Sequence, residues 1–301
     1  MILFDALSAY SALNSEQKQF VISKKIQLNQ VPNKTLDFFK PIVKFDLLLN
    51  SLKPKLKVLF IVMIVLSILG GFALAIYVDE PKVLFGGFGS ALLSAFLFWA
   101  TFAFIKRYDL DDNLWHFAVP FINILSQDMA EDEPMFVMGD FSTHEAKEHH
   151  KEEINQDPGF MKYPKIVYNK YMHKWLVIRA QLINGACLDT QITANLNVRK
   201  KTGYSRSHKI KTKYKRKVKQ VISVSIDFAR KRFSLTPDFK PGNRKNDNFK
   251  LKESDKKQRL TVSRAIRCEN DNGTLVPEPS LTLIGKLMMS VSPARKGKQH
   301  A

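Results

Sequence analysis

Residues 209–228 read KIKTKYKRKVKQVISVSIDF, and two registers run through them without a slip. Lys209, Lys211, Lys213, Lys215, Lys217 and Lys219 take every second position, and Ile210, Thr212, Tyr214 and Val218 fall in the other register. A period of two marks a strand, whose side chains alternate between faces; on a helix the same lysines would scatter around the axis. The apolar register continues through Ile222, Val224, Ile226 and Phe228, so one long or bent strand is predicted. Successive lysines then stand roughly 6.6 Å apart along one face.

The neighbouring segments alternate as well. Upstream, Leu176, Ile178, Ala180 and Leu182 form one apolar face, and Ala186, Leu188, Ile192, Ala194, Leu196 and Val198 form another. A two-residue turn at Asn184 and Gly185 would set core against solvent. A three-residue loop of Ile183, Asn184 and Gly185 pairs Leu182 with Ala186 instead and requires Gly185 in the left-handed conformation of a bulge. Met135–Phe141, Phe249–Glu253 and Arg259–Cys268 are further strand candidates, and residues 236–248 read as a polar loop. An antiparallel sheet follows. Two helices flank it: one capped by Asp111 or Asp112 with Leu114, Phe117, Phe121 and Leu125, and a terminal one capped by Ser280 with Leu281, Ile284, Leu287, Met288 and Val291.

Two apolar runs precede these strands. Residues 58–78 and 83–105 contain no charge, and only Asp79, Glu80, Pro81 and Lys82 separate them. As helices each would extend about 30 Å, the thickness of a bilayer core. Lys53, Lys55 and Lys57 before the first run, and Lys106 and Arg107 after the second, orient both flanks to the cytoplasm. Tyr77, Trp99 and Tyr108 stand near the ends, at headgroup level. Small residues recur every four positions at Ser67, Gly71 and Ala75 and at Gly87, Ala91 and Ala95, the chemistry of close helix packing and of self-association into a homo-oligomer. The expected fold is an α+β membrane protein: a cytoplasmic or interfacial segment (1–56), a two-helix transmembrane hairpin (57–106) in the bacterial inner membrane, and a cytoplasmic antiparallel β-rich domain with flanking helices (107–301). Leu36, Phe38, Phe39, Ile42, Val43, Phe45, Leu47, Leu48 and Leu49 in the first segment either lie on the membrane or pack on the soluble domain.

The formal net charge of +19 is unevenly spread. Residues 109–157 hold thirteen acids against Lys147 and Lys151, whereas residues 158–301 hold thirty-three Lys or Arg against nine acids. Arg199, Lys200, Lys201, Arg206 and Arg216 reinforce the lysine row, and no acid lies between residues 190 and 226. A functional electropositive face is expected, with the acidic stretch as its possible internal partner.

Candidate chemistry is sparse. Ser142, Thr143, His144 and Glu145 form a capping box, so residues 142–150 read as a charged helix. His144, Glu145, Glu148, His149 and His150 on it resemble a zinc site, but His144 and His149 are five apart and would point about 140° away from each other around a helix axis. No metal site, cofactor or catalytic motif is therefore expected. Cys187 and Cys268 read as reduced structural thiols. Without ionisable residues in the apolar runs, a transporter or pore has little to work with.

These observations point to a membrane-anchored, non-enzymatic binding or scaffold module whose basic face engages anionic lipid headgroups or an acidic protein partner. Nucleic-acid binding is the alternative, with Tyr204, Tyr214 and Phe233 available for stacking. Trp175, Leu176, Arg179, Leu182 and Gly185, followed by Arg199, Lys200, Lys201 and the alternating lysines, resemble a family of uncharacterised bacterial membrane proteins with two transmembrane helices. That resemblance implies an inner-membrane location and carries no activity.

Overall fold

The structure is a computed structural model that describes residues 2–78, 82–156, 159, 163–236, 239, 242–244, 246–254, 257–268 and 273–293. For residues 2, 3, 71, 74, 75, 78, 82–88, 90, 91, 243 and 244 the backbone alone is described. The chain forms two compact units, residues 1–23 with 38–110 and residues 24–37 with 111–301.

The first unit is helical: α1 (Ile2–Ser11), α2 (Ser15–Ser23), α3 (Pro32–Val78, in this unit from Phe38) and α4 (Lys82–Tyr108). Asn14 and Gln17 open α2 reciprocally, each side-chain oxygen accepting the other's backbone N–H at 2.8 and 2.9 Å. On α3, Phe39, Ile42, Phe45, Leu49 and Leu52 are buried at every third or fourth position, so one stripe of the helix faces inward. Pro41 and Pro54 lie within α3 without ending it. Phe39 packs against Phe20 of α2, and Tyr10 of α1 meets Phe45 and Tyr108. The aromatic segment thus packs on this unit's own helices. Buried Asp46 accepts the Leu110 N–H, and Lys53 pairs with Asp109 at 2.6 Å, which ties the end of α4 to α3.

The transmembrane expectation is corrected. Residues 58–78 and 83–105 are helical, as parts of α3 and α4, but among the described residues no helix is long and apolar enough to cross a membrane. A crossing takes about 20 consecutive apolar residues. The two-pass topology and inner-membrane location expected from these runs fall with that finding. Asp79, Glu80 and Pro81 of the proposed turn lie outside the described residues.

The second unit is built on strands β1 (Lys25–Gln30), β2 (Met135–Asp140), β3 (His150–Gln156), β4 (Lys165–Gln181), β5 (Cys187–Tyr204), β6 (Ile210–Ala229), β7 (Phe233–Leu235), β8 (Gly242–Arg244), β9 (Asp247–Glu253), β10 (Lys257–Arg267) and β11 (Val291–Pro293). The main sheet runs β1-β2-β4-β5-β6-β10-β9-β8, with β3 also on β4, and every pairing is antiparallel. β7 and β11 pair separately. Between β4 and β5 the three-residue loop forms as expected: the Leu182 N–H donates to the Ala186 carbonyl at 2.9 Å, and Gly185 has φ +82°.

Leu188, Ile192, Ala194, Ile222, Val224, Ile226, Leu260 and Val262 bury one face of the sheet. A π-type turn (Leu114–Ala118) leads into α5 (Val119–Leu125), and Leu114, Phe117, Phe121 and Leu125 are all buried. α6 (Glu278–Met289) packs on β6 and β10 with Leu283 and Leu287 inward. Ser280 lies inside α6 and is not its cap, because the helix starts earlier, after Pro277. The expected helix over 142–150 is also corrected. Residues 141–149 form turns and one short tight helix (Lys147–His149), after which the chain enters β3.

Candidate functional sites

The lysine row projects from the sheet. From Ile210 to Lys217 every residue of β6 is exposed, and burial alternates only from Val218 onward. β10 joins β6 from Lys219, so among the described residues the earlier half of β6 has a strand, β5, on one side alone. Lys211, Lys213, Lys215, Lys217 and Lys219 share a face, and Lys209 precedes them in the β5–β6 turn. Arg199 stands opposite Lys215 and Lys201 opposite Lys213, on the same face. Lys200 is opposite Tyr214 and therefore belongs to the other face.

Among the described residues no carboxylate lies within ion-pair distance of the six row lysines, Arg199 or Lys201. The acidic stretch reaches the ribbon on its other face, where Glu145 meets Arg216 at 2.7 Å. Tyr204 and Tyr214 are exposed on that other face too, and Phe233, on the separate β7–β11 pair, packs against Phe228 near the far end of β6. On the lysine face itself the ring in register with the row is Tyr168 of β4, opposite Arg199, whose guanidinium lies over it at 6.0 Å.

Of the small residues expected to pack helices, Ser67 and Ala95 are partly buried, and Gly71, Ala75, Gly87 and Ala91 lie outside the residues whose side chains are described. Where described, α3 and α4 meet through the stacked rings of Phe60 and Phe98, 4.0 Å apart. Val58, Ile61, Leu66, Leu92, Leu93 and Phe96 stand exposed along these two helices.

A second cluster forms where β2, the loop after it and β4 meet. Asp140 ends β2, His149 closes the loop before β3, and His173 sits on β4 just before a bulge at Lys174/Leu176. One donor atom from each of the three lies within 4.8 Å of the other two. Asp140 Oδ2 is 3.4 Å from His173 Nε2 and 3.8 Å from His149 Nε2. His144 stands behind His173, their Nδ1 atoms 2.9 Å apart, and His144 Nε2 is 3.7 Å from Asp111 Oδ2. Only one of two facing Nδ1 atoms can carry the proton of such a bond, so the tautomer of one ring sets the other.

His173 and His144 are buried, and the Nε2 atom of each has no hydrogen-bond partner. His149 stacks on His173 at 3.7 Å and lies 3.1 Å from Ser142 Oγ. Burial, then the neighbouring His173 and His149, hold the His144 imidazole down to about 4. Burial and His173 also lower His149, against the pull of Asp140 and Glu148. Asp111 is pushed up to about 6 by burial, with hydrogen bonds from Asn113 opposing. Burial alone would raise Asp140; the adjacent His173 imidazole and the hydrogen bonds from Ser142 outweigh it and hold that carboxyl well below the usual range. Lys25 lies 3.7 Å from Asp140 and pairs with Glu148 at 2.7 Å.

Sequence spacing, which assumes one helix, rejects a zinc site among His144, Glu145, Glu148, His149 and His150, and it does not reach Asp140 or His173. Off a helix, five residues of separation do not part His144 from His149, and His173 enters through the sheet register. The available signal was the combination of three histidines with Asp140 at a strand end. Comparison with protein-family models, with curated proteins and with solved structures finds no match to this chain.

Proposed function

We propose that the chain is a binding module that takes an acidic protein segment on the basic ribbon of β5 and β6. One observation supports this above others: Lys211, Lys213, Lys215, Lys217, Arg199 and Lys201 share one face, and among the described residues none has a carboxylate partner. Like charges opposed across strands repel, and an arriving row of carboxylates relieves that repulsion. The half-open edge of β6 adds backbone donors and acceptors, so an extended segment could pair there as a further strand, placing alternate acids beside alternate lysines. Lysines on an edge also deter apolar strands from pairing, which restricts the edge to charged partners. Tyr204 and Tyr214 lie on the other face, and Tyr168 on the lysine face is already covered by the Arg199 guanidinium, which leaves charge rather than base stacking to recruit a partner.

The test is fluorescence anisotropy of the full chain with an oligoglutamate peptide, a single-stranded oligonucleotide and phosphatidylserine vesicles at rising salt. The peptide is expected to bind in a salt-sensitive way, and changing the six row lysines to Gln should weaken it by about tenfold or more. Peptide binding indifferent to salt or to those changes overturns the proposal. Preference for the oligonucleotide or the vesicles does so too.

A further inference from the structure

We propose that Asp140, His149 and His173 bind a divalent transition-metal ion of the zinc type, with His144 and Asp111 orienting His173 from behind. Two imidazole nitrogens and one carboxylate oxygen suit such ions, whereas Mg²⁺ and Ca²⁺ favour all-oxygen sites. Donors about 2.0–2.1 Å from a tetrahedral ion stand roughly 3.3 Å apart. Asp140 Oδ2 is already 3.4 Å from His173 Nε2 and 3.8 Å from His149 Nε2.

The independent sign of a ligand is the buried, unbonded Nε2 of His173, which faces Asp140 across 3.4 Å. A buried polar atom without a partner costs about 1–3 kcal/mol, so its persistence calls for a group that satisfies it. An ion on His173 Nε2 forces the proton onto His173 Nδ1, which then donates to His144 Nδ1 across 2.9 Å. His144 in turn carries its proton on Nε2, facing Asp111 Oδ2 at 3.7 Å. His173 Nε2 thereby gains a partner, and the protonated His144 Nε2 is turned toward the Asp111 carboxylate. The chain from carboxylate through imidazole to ligating imidazole is how outer-shell groups fix a metal-bound histidine.

The ion has two contacts to displace. His149 must tilt out of its stack on His173, because nearly parallel rings cannot aim both lone pairs at one point, and its bond to Ser142 Oγ is exchanged for the ion. Lys25, 3.7 Å from Asp140 Oδ2, keeps Glu148 as its partner at 2.7 Å. Glu145, held by Arg216, anchors the loop that bears both His144 and His149.

The untagged full chain would be titrated with Zn²⁺ by calorimetry and with Co²⁺ by its d–d absorption. One ion per chain is expected, with no competition from Mg²⁺. His149→Gln and Asp140→Asn should weaken binding by more than about 100-fold, and His144→Gln by about 10–100-fold without changing the stoichiometry or the Co²⁺ band shape. Circular dichroism establishes that each variant is folded, and His149, at the cluster's edge, is the substitution least disruptive to the core. Absence of Co²⁺ absorption overturns the proposal. So does uptake unchanged in His149→Gln, or uptake that persists there and disappears in His150→Gln, the exposed neighbour.

Discussion

The two halves of β6 follow one alternating pattern and meet opposite surroundings. Beyond Val218 the even positions are buried between β5 and β10, and the odd positions carry small polar groups such as Ser223 and Ser225. Before it, both faces are exposed and one holds the lysine row. Charge follows the same division. On the well-paired side buried Asp247 accepts two bonds from Arg264, at 2.6 and 2.9 Å, and meets Lys286 of α6, so its charge is satisfied internally. On the ribbon Arg216 meets Glu145, whereas among the described residues no carboxylate lies within ion-pair distance of the row lysines. One strand thus combines a framework held by burial with a surface that burial does not explain.

The contrast is most easily broken in the framework. Ile226, enclosed by Leu188 and Leu260 across the strands, should cost about 3–4 kcal/mol when changed to Ala, read by urea unfolding. A cost under about 1 kcal/mol would show that the buried half is not packed as described. Next comes Asp247→Asn, expected to cost about 2–3 kcal/mol by leaving Arg264 and Lys286 uncompensated. The carboxyl of Asp247 is lowered, first by hydrogen bonding to Arg264. Its stabilisation is therefore complete above the ordinary carboxylate pKa and is lost as pH falls through the lower folded value. Unfolding followed down an acid series should lose that increment in the native chain and not in the variant. Smallest is Lys213→Gln, within about 0.5 kcal/mol of the native chain or slightly stabilising, since Lys201 stands opposite. Should it destabilise by more than about 1 kcal/mol, the row belongs to the framework and the contrast fails.

Much of the sheet was legible because burial on one face writes itself into alternation. Leu176 to Val198 and Lys209 to Phe228 announced β4, β5 and β6, and the apolar match of Leu182 with Ala186 chose the loop between them. Segment 142–156 was not legible. β3 is exposed along its whole length, so no apolar period betrays it, and the capping box that suggested a helix occurs in a loop. The apolar stretches of α3 and α4 were read correctly as helical, but length and hydropathy alone overreached in making them membrane spans. Lys200 was grouped with the row because it is adjacent in sequence, whereas the strand turns it to the other face.

Periodicity, charge and turn chemistry are local properties, and from them the sequence by itself established the antiparallel strands, their register at Gly185 and the alternating lysines. The gathering of Asp140, His149 and His173 is not local. His144 and His173 are twenty-nine residues apart and touch only because β2 and β4 pair and a loop folds back over them. Pairing energy is summed over whole strands, so no short window of sequence contains that meeting, and the tertiary structure alone decided it.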